Sequence, residues 1–177
     1  MARSHPAAER NKIAEWLSPL NSFQRQLDIL STSQPGTGRW LLAHTLFKKW
    51  ENDCGQTLWG RGIPGAGKTV LISLVIHHLE ARNDDIGIAW IYLNHKESDI
   101  QTPVNILGSF LKQLTTHGSR PIPATLQTLY QHHRERKTRP TPEEMLEAFP
   151  SIITGYSKVY LIIDAFDEYP EHQRHLL

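Results

Sequence analysis

Two short apolar runs constrain this chain most. IGIAWIYL at 86–93 and KVYLIID at 158–164 are nearly continuous in apolar residues. A strand with one wet face alternates polar and apolar residues, whereas a strand without that alternation is buried on both faces. Both runs therefore read as strands sandwiched between helices, the habit of a parallel sheet.

The rest of the chain supplies the helices. Residues 1–10 are expected to be loose. From Asn11 to Asn52 the pattern is helical, broken at STSQPGTG (31–38) by glycine and proline. Leu42, Leu46 and Trp50 recur at four-residue steps as one apolar stripe. Residues 56–60, QTLWG, form a short apolar segment that reads as a further buried strand. Lys68 to Arg82 (KTVLISLVIHHLEAR) reads as a helix apolar on more than one face, to be covered by a sheet and other helices. Thr102-Pro103 has the form of an N-cap followed by proline at the first helical position. Ile106, Phe110 and Leu114 then make one face, flanked by Val104, Leu107 and Leu111. A turn at 118–123 and a helix over 124–136 follow. Thr141 and Glu144 have capping-box spacing around Pro142 and open another helix. The resulting order, helix, strand, loop, helix, strand, helices, strand, is that of an α/β protein.

Composition narrows the function classes. A chain of 177 residues is enough for one ordinary domain. Net charge is +1 with the histidines neutral, which gives no electrostatic reason to expect nucleic acid or an anionic membrane. The N-terminus lacks the apolar core of a signal peptide, and no run approaches the roughly 20 apolar residues that span a bilayer. The single cysteine, Cys54, forms no internal disulfide and fits a reducing, cytoplasmic setting. Neither H-E-x-x-H nor C-x-x-C occurs, so the pairs His77/His78 and His132/His133 read as structural or surface residues.

Chemistry is concentrated in GIPGAGKT (62–69), which fits G-x-x-x-x-G-K-[ST]. A phosphate-gripping loop needs backbone N–H groups converging on one anion, and glycine permits the angles and the approach. The helix that follows adds its unpaired N-terminal amides and the positive end of its dipole. In such a loop Gly62, Ile63, Pro64, Gly65, Ala66, Gly67, Lys68, Thr69 and Val70 surround the nucleotide, Lys68 neutralises phosphate charge, and the Thr69 hydroxyl ligates Mg²⁺. The plain alternative is a glycine-rich turn. A second constellation, YLIIDAFDE (160–168), favours the loop. Parallel strands carry ligand sites at their carboxyl ends. Asp164 would share that edge and hold Mg²⁺ with Thr69, and Asp167 or Glu168 would polarise an attacking water. The plain alternative here is a strand that ends in a solvated acidic turn.

GIPGAGKT followed by LIIDAFDE resembles the Walker A and Walker B motifs of NACHT-type NTPases, in the STAND class of signal-transducing P-loop ATPases. The flanks WLSPLNSFQ, GTGRWLL, FKKW and LWGRGIPGAGKT, and TRP before KVYLIIDAFDE, resemble the nephrocystin-like N-terminal segments of fungal NLR-like proteins. The resemblance covers most of residues 13–170. It implies a three-layer P-loop NTPase core that binds ATP or ADP, with GTP as the alternative, and couples nucleotide state to self-association. It divides the chain into a loose start (1–10), a helical flank (11–54) and a partial NACHT domain (55–177). It also implies a strand order of 5-1-4-3-2, with strands 4 and 5, helical domains and C-terminal repeats following Walker B, and an effector domain elsewhere. This sequence does not contain them, so the sheet is expected to be incomplete beside the loop strand and hydrolysis to be weak or nil.

Rival readings are a non-catalytic interaction module with a vestigial loop and a P-loop kinase. Asp167-Glu168 directly after the strand favours water activation over the kinase. A small GTPase is disfavoured by D-x-x-D and by the lack of N-K-x-D. Arg39 and Trp40 read as a turn and a core tryptophan, with a place near the adenine as the alternative. Trp16, Trp50, Trp59 and Trp90 read as packing residues. The basic run Arg134, Arg136, Lys137, Arg139 reads as a solvated loop, against a phosphate lid or a nucleic-acid patch.

Overall fold

A computed structural model describes residues 6–82, 85–116 and 120–170. They form two compact units, one of Ser22–Asp84 and one that joins Met1–Asn21 to Asp85–Leu177. Packing thus divides the chain differently from the motif-based boundary at residue 55.

The discontinuous unit holds the sheet. β1 (Ile86–Tyr92) and β2 (Lys158–Asp164) lie side by side and parallel, in register from Ile86 opposite Lys158 to Tyr92 opposite Asp164. β1 is buried at every position, as its unbroken apolar run requires. β2 is not, and Leu161 is 49% exposed. Four helices belong to this unit, α1 (Pro6–Leu17), α6 (Pro103–Thr116), α7 (Ala124–Arg136) and α8 (Pro142–Ile153); α6 packs on β1, and α1 and α8 pack on α6. Thr102 Oγ1 accepts from the Asn105 N–H at 3.3 Å and starts α6. At α8 the capping box closes from both sides: Thr141 N–H donates to Glu144 Oε2 at 2.8 Å, and Glu144 N–H to Thr141 Oγ1 at 3.3 Å. Ile106, Leu107, Phe110, Leu111 and Leu114 of α6 are buried in one cluster with Ile13 and Leu17 of α1, and Val104 is half-buried beside them. Trp16 meets Tyr130 edge to face, with centroids 5.3 Å apart.

α1 crosses α6 at Gly108. A Cβ there would stand 2.0 Å from the Leu17 carbonyl oxygen. Long side chains bind the carbonyls at the end of α1: Lys112 Nζ donates to Ser18 O (3.1 Å) and Leu20 O (3.3 Å), and Arg139 Nη2 to Leu17 O (3.1 Å). Burial holds the Lys112 ammonium below the usual lysine range, and Glu15 opposes that shift. The basic run is therefore not wholly a solvated loop, since Arg139 is part of this clamp and also donates to Asn105 Oδ1 at 3.0 Å.

The other unit contains α2 (Ser22–Ser31), α3 (Arg39–Ala43), α4 (Thr45–Asn52) and α5 (Lys68–Glu80). The Gln26 side chain of α2 donates to Ser73 O of α5 at 2.9 Å in a buried bond. Glu51 of α4 meets His78 at 2.7 Å and Arg82 at 3.0 Å. Three expectations fail here. First, residues 56–60 form no strand, because the sheet pairs β1 with β2 and gives this segment no ladder partner among the described residues. Leu58 and Trp59 are 37% and 64% exposed. Second, the stripe Leu42–Leu46–Trp50 is split. His44 is extended, and its Nδ1 caps the next helix by accepting from Leu46 N–H at 3.2 Å. The turn resets the helical phase, so Phe47 is buried and Leu46 is 61% exposed. Third, Trp40 is 63% exposed and, like Trp59, is not a core residue. Residues 6–10, expected to be loose, form the start of α1. Residues 1–5, and 118 and 119 of the expected turn, lie outside the described residues.

Candidate functional site

The glycine loop and the acidic strand end belong to different units, so each has its own geometry.

In the loop, the chain is exposed from 61 to 67 and then enters α5. Gly65 has φ +79°, and Gly67, the N-cap of α5, has φ +79° and ψ 19°. Both are left-handed, a conformation that costs other residues roughly 1–2 kcal/mol. A Cβ on either would meet nothing within 4 Å, so glycine serves the backbone angle here and not the space. Gly62 differs. Its φ is not positive, and a Cβ would lie 3.5 Å from Ala66 Cβ and Lys68 Cδ, ordinary contact.

Ala66 N–H donates to Ile63 O at 3.2 Å and closes a turn. Among the described residues the amides of Gly65, Gly67, Lys68 and Thr69 donate to no backbone carbonyl. They are the orphan donors of a loop and a helix start, gathered at the positive end of a 13-residue helix. Lys68 folds back over the loop, its Nζ donating to Gly62 O (2.8 Å) and Ile63 O (3.2 Å). Thr69 and Val70 lie in the first turn of α5, half-buried. Ile63 is 77% exposed. Pro64 begins the turn.

At the strand end, Asp164 is the last residue of β2 and is 5% exposed. Its carbonyl accepts from Leu93 N–H at 3.2 Å, just beyond β1. Ala165 then turns the chain with φ 55°, and a short 3₁₀ turn carries Asp167 and Glu168, both exposed. Glu168 N–H donates to Ala165 O at 2.8 Å.

Sequence reasoning missed the neighbour of this turn. A 3₁₀ turn at His95–Glu97 follows β1 at the same edge, capped by Asn94 Oδ1, which accepts from Lys96 N–H at 3.0 Å. His95 Nδ1 lies 3.3 Å from Glu168 Oε2. Both side chains are well exposed, so the pair orients more than it stabilises. The available signal was positional: polar residues directly after one parallel strand share the edge of the acid that ends the next.

Among the described residues no three His, Cys, Asp or Glu side chains are grouped to hold a metal ion. His78 Nε2 lies 2.7 Å from Glu51 Oε1. His133 is buried, with Nδ1 2.8 Å from Thr138 Oγ1 and Nε2 3.1 Å from Glu144 Oε2.

The family described as Nephrocystin 3, N-terminal matches residues 36–177, a span that includes both the loop and the acidic strand end. The vegetative incompatibility protein HET-E-1 of Podospora anserina is 28% identical over 142 residues. The match covers 73% of this chain and 10% of that protein. No solved structure matches the chain. With the family spanning most of the sequence, the chain belongs to the nephrocystin 3 N-terminal family, as a nephrocystin-like N-terminal segment of the kind found in fungal NLR-like proteins.

Proposed function

We propose that this chain is the nucleotide-binding part of a NACHT-type signalling switch with a P-loop NTPase core. The reading rests on one observation: four unbonded amides at a left-handed glycine loop, with a lysine ammonium folded over them, at the start of α5. An anion with several oxygens suits such a cup, and a di- or triphosphate extends along it. Lys68 then moves from the loop carbonyls to phosphate oxygens. ATP or ADP is the expected ligand, with GTP as the alternative.

Mg²⁺ is the implied cofactor. Thr69 in the loop unit offers a hydroxyl and Asp164 in the other unit a carboxylate, and each is a hard oxygen donor of the kind Mg²⁺ takes beside phosphate and water. When bound, the ion would neutralise phosphate charge. Glu168, whose Oε2 lies 3.3 Å from His95 Nδ1, and its neighbour Asp167 are the carboxylates proposed to polarise the attacking water. Hydrolysis by this chain alone is proposed to be weak.

Self-association and a role in signalling are part of this proposal, supported by the likeness to fungal NLR-like proteins. A cytoplasmic setting is proposed from the lone exposed Cys54. No helix among the described residues is long and apolar enough to cross a membrane.

The test is titration of the chain with fluorescent ATP and ADP, with and without Mg²⁺, beside Lys68→Ala. Saturable binding weakened at least tenfold in the variant is expected. Equal affinity in both proteins would refute the proposal and favour an interaction module with a relic loop.

A further inference from the structure

Among the described residues β1 pairs with a strand, β2, along one side only. In a parallel strand, alternate residues direct both N–H and C=O to the same side. Leu93 N–H points at β2, so residues 90, 92 and 94 address the opposite edge. An unpaired edge that is also buried is costly, since each orphaned group loses its water without gaining a partner.

Two glutamine side chains meet that edge. Gln113 of α6 is 2% exposed; its Oε1 accepts from Trp90 N–H at 3.0 Å, and its Nε2 donates to Trp90 O at 2.8 Å. Gln101, just before α6, is 3% exposed; its Nε2 donates to Tyr92 O at 3.0 Å, and its Oε1 accepts from Asn94 N–H at 2.8 Å. A primary amide carries the same donor and acceptor as a peptide group. Two of them, spaced along the edge, repeat the bonds that a neighbouring strand would make.

We propose that Gln101 and Gln113 act as a surrogate strand, closing the carboxyl half of the outer edge of β1 and fixing it as the terminal strand of the sheet. Any further strand then adds beyond β2, where Leu161 is exposed. The device reaches the carboxyl edge as well. Gln101 Nε2 also lies 3.2 Å from Glu97 Oε2, so one side chain fixes both the strand exit and the turn that carries His95 to Glu168. The inference concerns the sheet edge and does not rest on the proposed nucleotide binding.

Nuclear magnetic resonance tests it on the intact chain. Couplings across the hydrogen bonds are expected from the Trp90 amide nitrogen to the Gln113 side-chain carbonyl carbon, and from the Asn94 amide nitrogen to that of Gln101. In Gln113→Leu, Trp90 N–H should exchange with solvent at least tenfold faster relative to Leu93 N–H, which is bonded to β2. In Gln101→Leu, Asn94 N–H should do the same. Gln113→Glu keeps the acceptor and loses the donor, so it should retain the protection of Trp90 N–H better than Leu does. Absent couplings in the wild-type chain would overturn the inference even if no Leu variant folds. So would exchange ratios unchanged by the Leu substitutions.

Discussion

Gly108→Ala is a sharp test of the α1–α6 crossing. In an exposed helix interior this change stabilises by about 1 kcal/mol, because alanine is the better helix former. At residue 108 the added methyl would lie 2.0 Å from Leu17 O and 2.9 Å from Leu17 C. Relief to ordinary contact needs a movement of well over 1 Å. These two nearest atoms are backbone atoms, which cannot rotate away as the Met145 side-chain tip, 3.3 Å off, can. Moving α1 off α6 loosens the packing of Ile13 and Leu17 and draws Leu17 O away from Arg139. Overpacking of this kind costs about 1–3 kcal/mol, and the weakened charged hydrogen bond about 1 kcal/mol more. After the gain in helix propensity, the net expectation is a loss of about 1–3 kcal/mol. For a chain of this size that is a fall in Tm of roughly 2–12 °C. Urea and thermal unfolding followed by circular dichroism measure it. A variant as stable as the wild type, or more so, would refute the crossing.

The two kinds of glycine in the loop should separate. Gly67→Ala is expected to cost roughly 1–2 kcal/mol through its left-handed backbone and to weaken nucleotide binding, whereas Gly62→Ala should leave stability within about 0.5 kcal/mol of wild type; denaturant melts and the fluorescent titration read both. Ala165→Gly should stabilise by about 0.5–1 kcal/mol, because the residue after Asp164 holds φ 55°; a destabilised variant would contradict that conformation. The Glu144 carboxyl is held below the usual range, first by the Thr141 backbone N–H and with help from His133, against a smaller opposing effect of burial. Its folded value lies below its unfolded one of about 4.3, so its contribution is full above that pH and is lost as pH falls through the folded value. Glu144→Gln should flatten this acid limb of the stability profile, and an unchanged limb would count against the capping box.

Where periodicity and end signals agree, sequence and structure agree. Ile86–Tyr92, Ala124–Arg136 and the Thr141 box form as their residues imply, and Lys158–Asp164 forms its strand without being buried on both faces. Apolar runs report burial, and caps report local hydrogen bonds, so both are legible without coordinates. Residues 56–60 show the limit: a short apolar run cannot announce whether a partner strand is available. His44 shows another, since a capping imidazole resets a helix that the spacing of Leu42, Leu46 and Trp50 reads as continuous. At the candidate site the left-handed turns at Gly65 and Gly67 and the place of Asp164 at a strand end were legible in the sequence, and their part in nucleotide binding is the proposal. Gln101 and Gln113 were not, because their partners lie 9 or 7, and 23 positions away and no local pattern marks them; His95, 73 positions from Glu168, had only its place after a strand to mark it.

Because α1 precedes residues 22–84 yet packs with residues 85 onward, its place in the unit carries a consequence for biosynthesis. Ile13 and Leu17 emerge from the ribosome well before Ile106 and Phe110, and stay uncovered until α6 is made. The delay itself is cheap, because closing a longer loop costs only logarithmically more. An expression clone begun at residue 36, where the family match starts, would strip these two side chains from the core for good.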